Sequence, residues 1–279
     1  MSASGPDSPG QRNPELKTAA ALIIGNELLN GKVQDTNTRF LASRLYDRGV
    51  KLMRVEIIPD DYDEIAEAVT RLSAKSDYVF TSGGIGPTLD DITYEAIARA
   101  FGLQLKLNEF TVSEMRRISP QHEINEARKR MALFPDPCEL YSTDGLWVPI
   151  VCVNTNVFIL PGVPWIFERM LQFNLHRFGS DETALKSSTV YTNRYEGELA
   201  SELQRIADAF PLLDFGSYPR TQPDDKYNVM LTIEGADGEL VRAAAAALSA
   251  AVQGAATPDA LQARTGMVGD TDRTPPATD

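Results

Sequence analysis

Cysteine and histidine are almost missing from this chain. Its 279 residues include two of each: Cys138 and Cys152, His122 and His176. Two thiols cannot make a disulfide framework, so a small stapled secreted scaffold is excluded and both cysteines read as small apolar residues. A zinc site of the His/Cys kind would need nearly all four side chains to converge. A Ser-His-Asp triad would have to draw on one of two imidazoles in polar or helix-end settings. Any chemistry is therefore expected from carboxylates, backbone amides and a hard ion, Mg²⁺ or another divalent metal.

Long apolar runs are absent as well. No stretch approaches the ~20 residues that span a bilayer, and Met1 to Lys17 is polar and Pro-rich, without the apolar core of a secretion signal. The expectation is a cytoplasmic protein with no membrane partner. Positive charge is also scarce: 27 Lys and Arg stand against 39 Asp and Glu, a net charge of −12. Such a surface repels phosphate backbones, so nucleic acid is not an expected partner. A local anion site can still be built from backbone N–H groups.

What is present is an ordinary globular composition, 43% apolar and 24% charged, long enough for one large domain or two unequal ones. Residues 1–16 and 254–279 lack apolar periodicity and read as disordered tails. Between them short apolar runs alternate with amphipathic segments. Thr18 to Ile24 reads as a buried strand, Thr36 to Arg48 as a helix stopped by Gly49, and Val50 to Ile58 as a strand ended by Pro59. Asp63 to Ala74 reads as a helix, Tyr78 to Thr81 as a strand, and Ile92 to Phe101 as a helix closed by Gly102. That order predicts an α/β fold, a three-layer αβα arrangement around a mostly parallel sheet. One or two helices over Asn108 to Ala132 follow, broken by Pro135 and Pro137. Strands are expected at Glu139 to Tyr141, Trp147 to Val148 and Val157 to Leu160, then a helix from Trp165 to Phe173. Residues 17–180 make one domain on this reading, and 187–253 a small βαββα subdomain.

Ligands of open α/β sheets bind beyond the carboxyl ends of the strands. Four segments directly follow strands: Gly25 to Asn37, Pro59 to Asp63, Ser82 to Asp91, and Pro161 to Pro164. Right-handed crossovers bring them to one rim, which gathers Glu27, Asp35, Asp60, Asp61, Asp90 and Asp91 with several glycines. In Ser82-Gly83-Gly84-Ile85-Gly86-Pro87-Thr88 the glycines allow close approach and aim N–H groups at oxyanions. Thr88-x-x-Asp91 also fits a capping box, which would leave Asp91 a structural role. Paired aspartates favour function over capping, because a cap needs one. Asp61 and Asp35 read as helix caps. Asp60 stays open, and Glu27 is a functional candidate because nothing in a loop calls for a carboxylate there.

Thr81 to Thr93 resembles the Gly-Gly-x-Gly…Asp-(Val/Ile/Leu)-Thr signature of MoaB/Mog-type molybdopterin-binding domains. Gly25-Asn26-Glu27-Leu28-Leu29-Asn30-Gly31, Asp35-Thr36-Asn37, Gly86-Pro87-Thr88-Leu89-Asp90-Asp91 and Leu160-Pro161-Gly162-Val163-Pro164 are similar to the CinA-like branch. Phe215-Gly216-Ser217-Tyr218-Pro219 resembles the N-terminal domain of eukaryotic FAD synthases. These motifs cover about residues 18 to 250. The resemblance implies a catalytic pair, Asp60 and Asp91, and phosphate contacts at Gly83, Gly84, Gly86, Thr88 and Gly162. It also suggests metal ligation by Asp90, Asp91 and Glu27. Ile85 stands where the adenylyltransferases carry Thr, and Asp90 is added beside Asp91. Both departures favour the branch whose members hydrolyse nucleotide pyrophosphates. The implied activity is metal-dependent hydrolysis of a dinucleotide-like diphosphate, FAD or ADP-ribose, to AMP and a second phosphate. The alternatives are molybdopterin adenylyl transfer and a non-catalytic nucleotide- or molybdopterin-binding module. With neither a deamidase nor a reductase-like domain in these residues, FAD synthesis is not expected. Relatives imply a homo-oligomer, dimer or trimer.

Overall fold

A computed structural model describes residues 16–180, 184–220 and 226–265. The chain divides into two compact units at residues 184 and 185. Most of both expected tails lies outside the described residues.

The first unit starts with β1 (Lys17–Ile24), a short helix α1 (Asn26–Leu29), α2 (Asn37–Tyr46), β2 (Val50–Ile58), α3 (Tyr62–Ser73), β3 (Tyr78–Ser82) and α4 (Thr93–Ala100). It continues through β4 (Gln104–Leu107), α5 (Glu109–Ile118), α6 (Glu126–Arg130), β5 (Leu133–Asp136), β6 (Glu139–Tyr141), β7 (Ile150–Val153), β8 (Val157–Leu160) and α7 (Pro164–Asn174). Six strands form one sheet in the order β2-β1-β3-β8-β7-β6. The first four are mutually parallel, while β7 runs against β8 and against β6. β1 is apolar without alternation because both its faces are covered: Ala19 to Ile24 are all buried. Phe80, Phe158 and Phe178 pack ring on ring in this core, the Phe80 and Phe178 centroids 4.8 Å apart and nearly perpendicular. The predicted α/β fold with a mostly parallel sheet is what the chain adopts.

Several local expectations need correction. The strand placed at Trp147 to Val148 lies at Ile150–Val153 instead. Pro149 has no N–H to give a ladder, so pairing begins after it. The segment after α6, read as broken by prolines, contains β5, whose Pro135 faces Leu105 in an isolated two-stranded sheet with β4. Such a sheet has only edge strands, where proline is tolerated.

The second unit comprises β9 (Lys186–Thr192), α8 (Glu196–Ala209), β10 (Asp214–Pro219), β11 (Val229–Gly235) and α9 (Gly238–Ala251). Its antiparallel sheet has the order β10-β11-β9. Val229, Leu231 and Ile233 on β11 face a small core with Leu199, Ile206, Val241 and Leu248. A further helix, α10 (Pro258–Thr265), corrects the expectation of a tail from residue 254. Leu261 is buried there, which anchors a segment whose polar composition hides it. Among the described residues no helix is long and apolar enough to cross a membrane.

Candidate functional site at the glycine-rich rim

Two glycines shape the turn after β3. Gly83 has φ +111° and Gly84 φ +64°, backbone that side-chain-bearing residues avoid. A Cβ on Gly83 would stand 2.1 Å from the Ile24 carbonyl oxygen, and one on Gly84 2.2 Å from Thr93 Oγ1. The loop thus packs backbone to backbone against the end of β1. The Gly83 N–H donates to the Leu160 carbonyl at 3.2 Å. That removes Gly83 from the expected phosphate donors: its role is to join β3 to β8. No partner is found for the amides of Gly84 and Gly86 among the described residues.

Thr93, at the start of α4, ties the other side of the loop. Its N–H donates to the Gly84 carbonyl and its hydroxyl to the Gly83 carbonyl, each at 3.0 Å. Asn37, almost fully buried in the first turn of α2, donates from Nδ2 to Ser82 Oγ and to the Gly162 carbonyl, each at 2.9 Å. A Cβ on Gly162 would approach Gly83 Cα to 3.2 Å. Three strand ends therefore meet at one point, held by Thr93 and Asn37. Both residues lie inside the quoted motifs, yet neither was singled out.

The carboxylates separate into two kinds. Asp61 accepts from the amides of Asp63 at 2.9 Å and Glu64 at 3.1 Å, so it caps α3 as predicted. Asp35 likewise accepts from Asn37 and Thr38 ahead of α2. Asp60 instead turns to the rim: its Oδ2 accepts from the Asn26 N–H at 2.9 Å, and its Oδ1 lies 3.6 Å from the position of a Cβ on Gly84. Burial pushes its pKa above the ordinary carboxylate range, the Asn26 N–H opposes this, and the charges of Glu27, Asp90 and Asp91 push it further up. Asp60 and the Gly-rich loop, distant in sequence, are adjacent.

Asp91 does not cap α4, whose first residue is Thr93 and whose cap position is Ile92. It closes a turn: Oδ2 accepts from the Thr88 N–H at 2.8 Å and hydroxyl at 2.6 Å. The same hydroxyl also reaches Asp90 Oδ1, holding that carboxyl below the usual range. Thr88, expected to contact phosphate, thus directs both its donors at aspartates. Glu27 sits in the first turn of α1, not in a loop, with its carboxylate against Gly25, within 2.6 Å of where a Cβ there would be. An acid in a first helical turn has a dipole rationale of its own.

Among the described residues no three His, Cys, Asp or Glu side chains are grouped as a metal site. The expected ligands Asp90, Asp91 and Glu27 therefore form no closed cage. The donors near Gly84 are oxygens only, a set that suits Mg²⁺ shared between one or two carboxylates and a phosphate. His122 and His176 are exposed. Burial pushes the Cys152 thiol up to about 11, which keeps it protonated within β7.

Residues 20–178, more than half of the chain, match the family model for a probable molybdopterin binding domain. Residues 184–260 match that of the FAD synthase middle domain. A CinA-like protein of Citrifermentans bemidjiense is 40% identical over 158 residues, covering 55% of this chain and 38% of that protein. A probable FAD synthase of Caenorhabditis elegans is 32% identical over 268 residues, covering 85% of this chain and 50% of that protein. The chain thus spans at most half the length of these two relatives. A crystal structure of the protein CinA from Thermoplasma acidophilum, described as of unknown function, superposes with a TM-score of 0.54 at 32% identity. It covers 59% of this chain and 99% of that one.

Proposed function

For a chain that belongs to the family of probable molybdopterin binding domains, we propose metal-dependent hydrolysis of a dinucleotide-like diphosphate such as ADP-ribose or FAD. The observation that carries this reading is the placement of the Asp60 carboxylate against the Gly84 backbone, with its pKa raised by burial. The similarity to CinA-like proteins and FAD synthases supports a nucleotide substrate.

In this mechanism the amides of Gly84 and Gly86 bind diphosphate oxygens. They lie on a turn that Thr93 and Asn37 hold in shape, so little reorganisation is needed as charge develops at phosphorus. Asp60, made more basic by its surroundings, accepts a proton from the attacking water. The water oxygen bonds to the adenylyl phosphorus, the bridging P–O bond breaks, and its electron pair leaves with the second phosphate. The products are AMP and a phosphomonoester. Asp91, with Asp90 and Glu27, would hold the divalent ion, leaving the Asp60 carboxylate free to take the proton. When bound, that ion supplies charge neutralisation at the phosphates.

The deciding experiment is incubation of purified protein with ADP-ribose or FAD and Mg²⁺, Mn²⁺ or Co²⁺, with AMP measured by chromatography. AMP release lost in Asp60→Asn is the expected result. Tight nucleotide binding without AMP under any of these metals would instead assign the chain to the non-catalytic members of its fold.

A further inference from the structure

A cavity of about 290 Å³ opens between helix α5 and the loop joining β6 to β7. Strand registers fix where that loop lies. Ser82, the last residue of β3, pairs with Leu160, the last of β8. Ile159 pairs with Val151, and Ile150 with Tyr141. Because β7 runs against β8, the start of β7 and the end of β6 are level with Leu160. The loop of residues 142–149 therefore leaves the sheet on the same rim as Gly83, Gly84 and Gly162. At roughly 4.8 Å per strand, the step from β3 to the β7–β6 pair is on the order of 10–14 Å along that rim. This is comparable to the reach from a diphosphate to the far ring of a dinucleotide.

The cavity is tied in place from below. Asn174, buried on α7, donates to Thr143 Oγ1 at 3.1 Å, and Arg169 donates to the Asp144 carbonyl at 2.7 Å. Helix α7 itself begins two residues after Gly162, so a single helix buttresses both ends of the rim. The lining is mixed. Trp147 and Phe110 contribute aromatic rings to it, and Ser142, Asp144 and Arg117 are its polar residues. Arg117 is held in a fork by Glu114, with contacts of 2.9 and 2.6 Å. Walls that pair aromatic faces with a few hydrogen-bonding groups suit a ring carrying hydroxyls, and the volume is at the low end for ligand pockets. It fits one half of a dinucleotide, not the whole.

We infer that this cavity receives the second, ring-bearing half of a nucleoside diphosphate ligand whose diphosphate lies at Gly84 and Gly86. The inference rests on the diphosphate reading of the rim. The rings of Trp147 and Phe110 flank the sugar or heterocycle, and Ser142, Asp144 and Arg117 meet its hydroxyls.

Calorimetric titration of ADP, ADP-ribose and FAD tests this in the whole chain, using Ser142→Trp to fill the cavity and Phe110→Ala to remove a wall. Both positions are exposed, Phe110 by 63%, so melting curves should match the wild type. The expected result is that Ser142→Trp weakens ADP-ribose and FAD at least tenfold and leaves ADP unchanged, with Phe110→Ala several-fold in the same direction. ADP binding as tightly as the dinucleotides, or Ser142→Trp weakening all three alike, overturns the cavity assignment alone. A wild type that binds none of them overturns the diphosphate reading together with this one.

Discussion

The hydroxyl of Thr93, the first residue of α4, lies 3.0 Å from the carbonyl oxygen of Gly83 in the turn after β3. Replacing Thr93 with Val keeps its shape and removes the donor, leaving a buried carbonyl one partner short. That should cost about 1–3 kcal/mol. Urea titration should show the loss in Thr93→Val and most of it restored in Thr93→Ser. Equal stability of Val and wild type would mean that water replaces the hydroxyl.

Asp91→Asn separates chemistry from turn closure. The amide oxygen of Asn can still accept from the Thr88 N–H and hydroxyl, so the melting temperature should hold. Turnover of ADP-ribose should fall by about 100-fold or more, as when a transition-state electrostatic contact is lost. A wild-type rate would confine Asp91 to closing the turn.

Glycine substitutions give a graded test. Gly84→Val, the obvious way to block a phosphate, strikes Thr93 at a positive φ and so disturbs the fold itself. Gly86→Ala adds a Cβ within 2.6 Å of Asp91 Oδ2, the atom that closes the turn with Thr88, so it must displace that carboxylate. Binding of ADP should weaken in Gly86→Ala, with a fall in melting temperature smaller than in Gly84→Val because no positive φ is involved. Gly84→Ala should lose stability as well, by roughly 1–2 kcal/mol for the left-handed backbone alone.

The pH dependence of Asp60 has a defined sign. Its folded pKa is raised, so the stability it contributes is present below its unfolded pKa and is lost as pH rises through the folded value. Asp60→Asn keeps an acceptor for the Asn26 N–H but cannot ionise. The variant should therefore melt above the wild type at neutral pH, and the gap should close toward pH ~4, near the unperturbed aspartate value. A gap that is the same at every pH would show that charge is not its source.

The parallel half of the sheet was legible because doubly covered strands leave runs such as Ala19 to Ile24, while helices such as α3 repeat apolar residues at helical spacing. The rim followed from strand order alone. Asp61 was legible as the cap of α3, while Asp60 stayed open until its contact with the Asn26 amide was seen. What escaped was short or non-periodic. β5 has four residues including a proline, α1 has four in all, and α10 is anchored by one buried leucine in a polar stretch. In the site, the Gly83 amide and Thr88, expected at a phosphate, donate to groups of the protein itself. Their partners, Leu160 and Asp91, are chosen by tertiary packing and by turn geometry, which residue types do not specify.

The meeting of Gly83, Leu160 and Thr93 also bears on how the molecule opens. The Gly83 amide donates into β8 and the Thr93 amide into the Gly84 carbonyl, bonds that join the end of β3 to β8 and to α4. Neither can be released by fraying one loop, since β3, β8 and α4 would have to part. In deuterated solvent these two amides should exchange with the slowest core protons of β1, at the rate of global unfolding. Most ligand loops exchange early. This one should mark the last part of the unit to unfold.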